Sequence, residues 1–468
     1  MIKFSLGVFI FSIVGSPAFV ANASVQPPWT FRVERYRANI HPNLEKRSIK
    51  ASVQIDLSMQ YRIYPKRIKA VVENELVLDV ASTVIDSVSF EGIPLNVEIK
   101  DNQLHIPLHA LLPLPLVKPS ARTSEVQTKL RTIKIEYHGE PKQGLFFQQE
   151  DQQIYTLFDT PHWLPCQASP DHRASIDLKI TVPQNFHVVA NGSLVKSEIH
   201  ENGMVSHSWQ QNDKIPCYLY GFAAGRFREV TEQDHGRFFR YLASEKFSDS
   251  ELQTIFKETA GIARFYERKS GKKLPSKFYT QVLVNATAAQ ELEGFAVLSE
   301  KFGRRVLKDH SQVWLIAHEL SHQWWGNRVT NHSWTEMWLN EGIASYLNAA
   351  YLGERFGKNR YQSQIDAARI SYYTLRADGH DKPLKFASWS APSAADRSLV
   401  YDKGTYVMHL LRMEIGDNAF WKGLKDYTQQ HWGSSVSTAD LQYAMERASG
   451  KNLRKFFDQW VLLESTND

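Results

Sequence analysis

Apolar and polar residues alternate with a period of two along much of the first half of the chain. The clearest segments are SVQIDLSMQYRI, TIKIEYHG and ASIDLKITVP, which begin at residues 52, 132 and 174. This alternation is typical of half-buried β-strands. Asn191-Gly192 and Asn202-Gly203 lie between such runs, and Asn-Gly is the strongest short hairpin signal. The pattern predicts antiparallel sheet from about Ser24 to about Arg226, with a Pro-interrupted loop from His109.

The hydrophobic pattern changes after this region. Ser248-Asp249-Ser250-Glu251 has the sequence of a capping box, which predicts a helix from there to about Lys269. KFYTQVLV and EGFAVLSE, which begin at Lys277 and Glu293, each predict a strand. The remaining sequence, from about residue 312 to residue 460, has mostly helical periodicity.

The length of 468 residues is typical of two or three domains. With the change of pattern, it predicts an α+β multidomain protein. An antiparallel β-sheet domain at residues 24–228 is followed by a mostly helical domain at residues 229–468. The formal net charge is only +5, and no run of Lys and Arg resembles a nucleic-acid-binding arm, so we expect no nucleic-acid partner.

The first residues, MIKFSLGVFIFSIVGSPAFVANAS, have the composition of a secretory signal. An apolar run from Phe4 to about Val14 follows one Lys, and Ala21-Asn22-Ala23 supplies small residues before a cleavage site. We therefore expect a signal peptide at residues 1–23 and an exported protein, periplasmic or secreted, with no integral membrane segment after cleavage. An uncleaved anchor is the alternative, although the apolar run is short for a membrane helix.

Two cysteines, Cys166 and Cys217, are present in the chain. In an oxidising compartment they could form a disulfide that closes a long loop. Two unpaired, buried thiols are the alternative, and the sequence leaves both open.

The segment SQVWLIAHELSHQWWG has the apolar spacing of a buried helix, which Gly326-Asn327 is expected to end. His318 and His322 are four residues apart, so their imidazoles project from one helix face and can reach one Zn²⁺ ion. Glu319 lies about 100° around the helix. That position is poor for a third ligand but suitable for contact with a metal-bound water.

A third ligand is expected from a second helix, which Ser333-Trp334-Thr335-Glu336 opens as another predicted capping box. Farther along, Asn340-Glu341-Gly342 presents a carboxylate. Two His and Glu341 leave the fourth zinc position open for water, which is the catalytic arrangement. A pair of packed core histidines is the alternative, but four ionisable groups in an apolar setting are costly unless a metal offsets that cost.

HELSHQWWGNRVT followed by WTEMWLNEG resembles the zinc aminopeptidase family that includes aminopeptidase N, a family of gluzincins. PCQASPDHRASIDLKITVP and PCYLYGFAAGRF also resemble the N-terminal β-domain of that family. The resemblance implies a thermolysin-like second domain, without the C-terminal helical domain of larger relatives. It further implies that His318, His322 and Glu341 bind one Zn²⁺ ion per chain and that Glu319 is the general base.

Two further residues match the family. Tyr401 corresponds to a tyrosine that hydrogen-bonds the oxyanion, although its sequence alone fits core packing at the head of a helix. Glu293 corresponds to the carboxylate of the Gly-Ala-Met-Glu-Asn motif, which binds the ammonium group of the substrate. Here that motif is Gln290-Glu291-Leu292-Glu293-Gly294, and alone Glu293 fits a solvated strand charge. Asn348 occupies the position of a frequent family glutamate.

The sequence therefore predicts an exported zinc metallo-aminopeptidase, which hydrolyses N-terminal residues from peptides with a free N-terminus by means of a metal-activated water. A zinc endopeptidase or another zinc hydrolase of the same fold is one alternative. A non-catalytic binding or scaffold protein is the other, and the persistence of the three ligands, Glu319, Tyr401 and Glu293 argues against it.

Overall fold

The structure, a computed structural model, describes residues 29–61, 75–107, 129–386, 389 and 392–462. The expected signal peptide at residues 1–23 and the expected loop from His109 lie outside these residues. Within them, none of the helices has both the length and the hydrophobicity that a membrane span requires.

The first part of the described chain is built of strands. They run over Trp29–Asn43 (β1), Ser48–Tyr61 (β2), Glu75–Asp79 (β3), Thr83–Phe90 (β4), Ile93–Pro94 (β5), Glu98–Lys100 (β6), Gln103–Pro107 (β7), Lys129–Gly139 (β8), Gly144–Gln148 (β9), Gln153–Leu157 (β10), Arg173–Pro183 (β11), His187–Ala190 (β12), Ser193–Ile199 (β13), Met204–Pro216 (β14) and Phe222–Gly225 (β15). Short 3₁₀ turns cover Thr160–His162 and Cys217–Leu219.

These strands form three sheets in the described residues. The largest has the order β13-β14-β11-β1-β2-β8-β4-β5, and smaller sheets have the orders β12-β15-β10-β9 and β3-β7-β6. The alternation in the sequence arises because one face of the large sheet covers the core. Val53, Ile55 and Leu57 of β2, for example, are each 0% exposed. Neighbouring strands of this sheet are antiparallel, as predicted, except that β1 and β11 are parallel.

The two Asn-Gly predictions had different outcomes. Asn202-Gly203 lies between β13 and β14, which are antiparallel neighbours, so that hairpin is confirmed. Asn191-Gly192 does not form a hairpin, because it joins β12 of one sheet to β13 of another. Gly192 has a φ of +82°, and a Cβ atom there would lie 2.0 Å from the carbonyl oxygen of Gln210, so this crossing requires glycine.

The second part of the described chain is mostly helical. Its strands are Phe227–Asp234 (β16), Arg237–Ser244 (β17), Phe278–Val284 (β18), Phe295–Ser299 (β19), Val329–Asn331 (β20) and Ser434–Val436 (β21). Its α-helices are Asp249–Ile255 (α1), Thr259–Ser270 (α2), Glu300–Lys308 (α3), Trp314–Ser321 (α4), Trp338–Phe356 (α5), Lys358–Ala377 (α6), Ala394–Ser398 (α7), Gly404–Ile415 (α8), Asp417–Gln430 (α9), Thr438–Ser449 (α10) and Arg454–Phe457 (α11). A 3₁₀ turn covers Trp334–Glu336, and π-helical turns cover Leu399–Lys403 and Asp458–Leu462.

The capping box at Ser248 is confirmed, with both reciprocal hydrogen bonds to Glu251 present. The single helix predicted to continue to Lys269 is wrong, because the chain breaks between α1 and α2. Phe256 in this break stacks on the ring of Tyr241, with centroids 4.7 Å apart, and the Thr259 hydroxyl donates a 2.7 Å hydrogen bond to Gln281. These contacts with the adjacent sheet redirect the chain.

β16, β17, β18 and β19 form a four-stranded sheet in that order, with β19 at its edge. One face of this sheet packs with the helices. The other faces the β-sheet part, because Val282, Phe295 and Val297 belong to the same hydrophobic cluster as the strands β1 to β15. The predicted fold class, a β-sheet domain followed by a mostly helical domain, is confirmed. The domain bounds 24–228 and 229–468 stay predictions.

Cys166 and Cys217 are both buried in the β-sheet part. Their sulfur atoms lie 2.9 Å apart as free thiols, with the Cys166 thiol donating a hydrogen bond to Cys217. The structure therefore contains the second of the two arrangements that the sequence left open.

Candidate metal centre

The two histidines come from the end of one short helix. The apolar side of α4 is buried and includes Ile316, Ala317 and Leu320. His318 lies in the last turn of this helix and is buried with them. The predicted continuation of this helix to Gly326 is wrong, because α4 ends at Ser321 and His322 is its C-cap.

The third ligand, the carboxylate of Glu341, lies in the first turn of α5. The capping box predicted before this helix does not form, because the Ser333 hydroxyl accepts from the backbone N–H of Thr335. Glu336 instead accepts hydrogen bonds from the backbone N–H of Thr438 at 3.2 Å and from its hydroxyl at 2.5 Å. That contact ties the start of α5 to α10 and so helps to hold Glu341.

The three side chains converge on one point. The Nε2 atoms of His318 and His322 are 3.1 Å apart, and the Glu341 Oε2 atom is 3.2 Å and 3.6 Å from them respectively. Tetrahedral Zn²⁺ with bonds of about 2.0–2.1 Å requires ligand atoms about 3.3–3.4 Å apart. The spacing of these three atoms therefore fits zinc.

The contacts of the Nδ1 atoms orient the two imidazole rings. His322 Nδ1 donates to the Trp325 carbonyl oxygen at 3.0 Å, and His318 Nδ1 contacts the Ser345 hydroxyl at 3.4 Å. Both Nε2 atoms face the centre, where they can present lone pairs to a metal, as in most protein metal sites. Asn348 lies buried on the same helix as Ser345, and its Oδ1 atom has no hydrogen-bond partner.

The centre carries an excess of buried carboxylates, those of Glu291, Glu319 and Glu341, each 4% exposed. Burial raises the pKa of Glu319 well above its usual value, and the Glu291 and Glu341 carboxylates raise it further against the effect of His322. Burial lowers the pKa of His322, but the same three carboxylates outweigh it and raise the pKa to about 10. The pocket therefore favours positive charge, which a divalent cation supplies.

Tyr401 reaches the same centre from the π-helical turn that precedes α8. Its ring stacks on His318 with centroids 5.7 Å apart and an interplanar angle of 21°. Burial raises the pKa of Tyr401 well above its usual value, and the carboxylates of Glu341, Glu291 and Glu319 raise it further. Its hydroxyl thus keeps its proton and can donate it in a hydrogen bond.

Glu293 pairs with a group outside the three-ligand cluster, and its role in binding the ammonium group stays a prediction. A turn closed by the hydrogen bond from Phe295 N to the Leu292 carbonyl separates it from Glu291, with Gly294 at a φ of +84°. Its carboxylate pairs with the buried guanidinium of Arg328 at 2.7 Å. Burial raises the pKa of Glu291, and its carboxylate interacts electrostatically with His322 and Glu341.

The sequence contained a signal for Glu291. In the segment Ala288-Ala289-Gln290-Glu291-Leu292, both the alanine at the second position and the glutamate at the fourth match Gly-Ala-Met-Glu-Asn. Aligning the motif two residues earlier would therefore have selected Glu291. The structure brings His318, His322, Glu341, Glu319 and Tyr401 together as expected, and their individual roles stay predictions.

Two family models match the chain. The Peptidase M1 N-terminal domain model matches residues 32–219, and the Peptidase family M1 domain model matches residues 290–460. Aminopeptidase N of Lactococcus lactis subsp. lactis is 25% identical over 412 residues, which are 83% of this chain and 47% of that protein. A probable aminopeptidase 2 of Sulfurisphaera tokodaii is 23% identical over 437 residues, 88% of this chain and 53% of that protein. The chain thus spans about half the length of these curated relatives.

Solved structures share the fold. A mutant M1 zinc metallopeptidase from Deinococcus radiodurans superposes with a TM-score of 0.72 at 19% identity, covering 94% of this chain and 96% of that one. The aminopeptidase A of Legionella pneumophila, solved with aspartic acid, superposes with a TM-score of 0.73 at 18% identity, covering 93% of this chain and 50% of that one.

Proposed function

This chain belongs to peptidase family M1, and on that premise we propose that it is a zinc aminopeptidase that removes N-terminal residues from peptides. The observation that carries the proposal is the convergence of three ligand atoms, His318 Nε2, His322 Nε2 and Glu341 Oε2, beside the buried carboxylates of Glu319 and Glu291. One ion per chain is expected, because these three residues form a single cluster. When bound, zinc polarises the scissile carbonyl group and lowers the pKa of a water molecule.

Glu319 is the proposed general base. It lies next to His318 on α4 and is buried beside the metal ligands without occupying a ligand position. Its carboxylate accepts a proton from the attacking water and returns it to the departing amine.

Tyr401 is the proposed donor to the carbonyl oxygen as that oxygen gains charge. Its ring stacks on His318 and its hydroxyl hydrogen-bonds with the Glu341 carboxylate, so the hydroxyl lies next to the ligands. A hydrogen bond that forms mainly in the transition state lowers the activation barrier without tightening substrate binding.

Glu291 is the proposed binding residue for the ammonium group of the substrate. Its carboxylate is buried next to the metal ligands, so a free N-terminus held there places the first peptide bond at the centre. Charge-assisted hydrogen bonds of this kind are strong in a partly dry site. This contact distinguishes an aminopeptidase from an endopeptidase with the same ligands.

Hydrolysis of an aminoacyl chromogenic amide tests the proposal. Zinc-loaded protein should release the chromophore and a free amino acid. Protein stripped with a chelator should be inactive and should recover when zinc is restored. Failure of the zinc-loaded protein to hydrolyse a panel of such amides, with cleavage inside longer peptides instead, would favour the zinc endopeptidase.

Export to the periplasm or the medium is also proposed, on the composition of residues 1–23. The intact mass of the protein purified from its native host tests it. We expect a chain that starts at Ser24, whereas a mature protein that retains Met1 or Ile2 would contradict cleavage.

A further inference from the structure

Tyr218 belongs to the β-sheet part but contacts three of the segments that build the metal centre. It lies in the 3₁₀ turn Cys217–Leu219, and the residue is 8% exposed. Its hydroxyl donates to the Gly326 carbonyl oxygen at 3.0 Å and accepts from the Asn340 side-chain amide at 3.2 Å. Its own carbonyl oxygen accepts from the Gln290 side-chain amide at 2.8 Å.

The two contacts of the hydroxyl join the segments that carry two metal ligands. Gly326 follows His322 by one turn, and Asn340 directly precedes Glu341. These segments are already tightly packed, since a Cβ atom at Gly326 would lie 2.8 Å from His322 Nδ1 and 2.7 Å from Asn340 Oδ1. A hydroxyl bonded to both sides therefore fixes the separation of His322 from Glu341.

The backbone carbonyl of Tyr218 contacts a different segment, the one that carries Glu291. Gln290 directly precedes Glu291, and its side-chain oxygen accepts from the backbone N–H of Phe158 at 2.7 Å. Both bonds tie Gln290 to the β-sheet part. Because a backbone carbonyl survives any side-chain substitution, the two functions of Tyr218 can be separated by experiment.

We propose that Tyr218 is a positioning residue for the metal centre: its hydroxyl holds His322 and Glu341 at the separation that retains zinc. The inference rests on the proposed zinc site. Without the hydroxyl, the Gly326 carbonyl and the Asn340 amide lose a partner in a buried space, and the two segments can move relative to each other. Outer-shell substitutions of this kind typically cost about 10- to 100-fold in metal affinity.

The test is the rate at which zinc leaves Tyr218→Phe when the loaded protein is mixed with an excess of a chromogenic zinc chelator. We expect release about 10- to 100-fold faster than from the unmodified protein. Tyr220→Phe is the matched control. Its buried hydroxyl also has two partners, the carbonyl oxygens of Ala174 at 2.9 Å and Ile215 at 3.3 Å, but both lie in the β-sheet part. Zinc release from this control should be unchanged.

Kinetics give a second readout, independent of zinc release. Tyr218→Phe keeps the carbonyl that holds Gln290, so Glu291 stays in place and KM for an unblocked substrate should be unchanged. kcat should fall, because the ligands are less well placed. A loss of packing alone would not separate the two parameters in this way.

Equal zinc release from Tyr218→Phe and the unmodified protein would overturn the inference, as would equal acceleration in Tyr220→Phe. If Tyr218→Phe does not fold, Asn340→Ala removes one of the same contacts from the opposite side and should also accelerate release. Failure of the unmodified protein to bind zinc at all would instead count against the proposed function.

Discussion

The assignment of Glu291 rather than Glu293 to the ammonium group can be tested by the same substitution at both positions. Glu291→Gln keeps the size of the side chain and removes its charge next to the metal ligands. Glu293→Gln makes the identical change two residues away, where the carboxylate pairs with Arg328. Glu291→Gln should therefore lose activity, whereas Glu293→Gln should lose stability.

The expected sizes follow from the contacts. A hydrogen bond to a charged group contributes about 1.5–3 kcal/mol, so Glu291→Gln should lower kcat/KM for an unblocked peptide by about 10- to 150-fold. Removing one partner of a buried ion pair costs about 3–5 kcal/mol of stability. Arg328 keeps a second partner, Asp213, at 2.7 Å, so we expect the lower end for Glu293→Gln. In a chain of this size the entropy of unfolding is about 1 kcal/mol/K, so that loss corresponds to a melting temperature lower by about 3 °C.

The assay combines steady-state kinetics with thermal melts of the zinc-loaded proteins. An N-acetylated substrate serves as the internal control, because it has no ammonium group and its slow hydrolysis should not respond to Glu291→Gln. The expected loss for this contact is about 10- to 150-fold. A Glu291→Gln variant whose kcat/KM stays within about threefold of the unmodified protein would therefore refute the reasoning. A large kinetic loss in Glu293→Gln at unchanged melting temperature would restore the assignment made from the sequence.

Three further substitutions test the other roles. Glu319→Gln should keep its zinc and lose activity by about 10²–10⁴-fold, which elemental analysis and kinetics measure together, and near-normal turnover would rule out the general base. Tyr401→Phe should lower kcat by about 10²–10³-fold and leave KM nearly unchanged, and a change in KM alone would show a binding or packing residue instead. His322→Ala should lose the metal, and a zinc content equal to that of the unmodified protein would contradict the ligand set.

Sequence reasoning identified the parts of the site that depend on local geometry. His318 and His322 lie four residues apart at the end of one helix, so their convergence follows from helix periodicity. Glu341 could be predicted as the third ligand because a short connection after the first helix brings the second helix back beside the two histidines. The capping box at Ser248 was correct for the same reason, since both of its hydrogen bonds join residues three apart.

The structure departs from the sequence patterns where tertiary contacts decide it. A turn at Gly294 sends Glu293 toward Arg328, and nothing in the alternation of that segment revealed it. Glu336 has the spacing of a capping box but binds Thr438, which is distant in sequence. Asn191-Gly192 crosses between two sheets instead of closing a hairpin, because the Asn191 side chain bonds the carbonyl oxygens of Leu219 and Glu293.

Tyr218 shows a further limit of local patterns. Its segment, PCYLYGF, resembles the N-terminal β-domain of the family, and that resemblance does not indicate any contact with the metal centre. Its contacts with Gly326 and Asn340 join residues more than a hundred positions apart, so only the folded chain reveals them.

The central claim, that this chain is a zinc aminopeptidase, is tested most directly with one peptide in two forms. The zinc-loaded protein is given the peptide with a free N-terminus and its N-acetylated twin, and the products are identified by mass spectrometry. We predict loss of single residues from the N-terminus of the free peptide, at rates about 10- to 150-fold above any cleavage of the blocked twin. Internal cleavage of both forms at equal rates would contradict the claim.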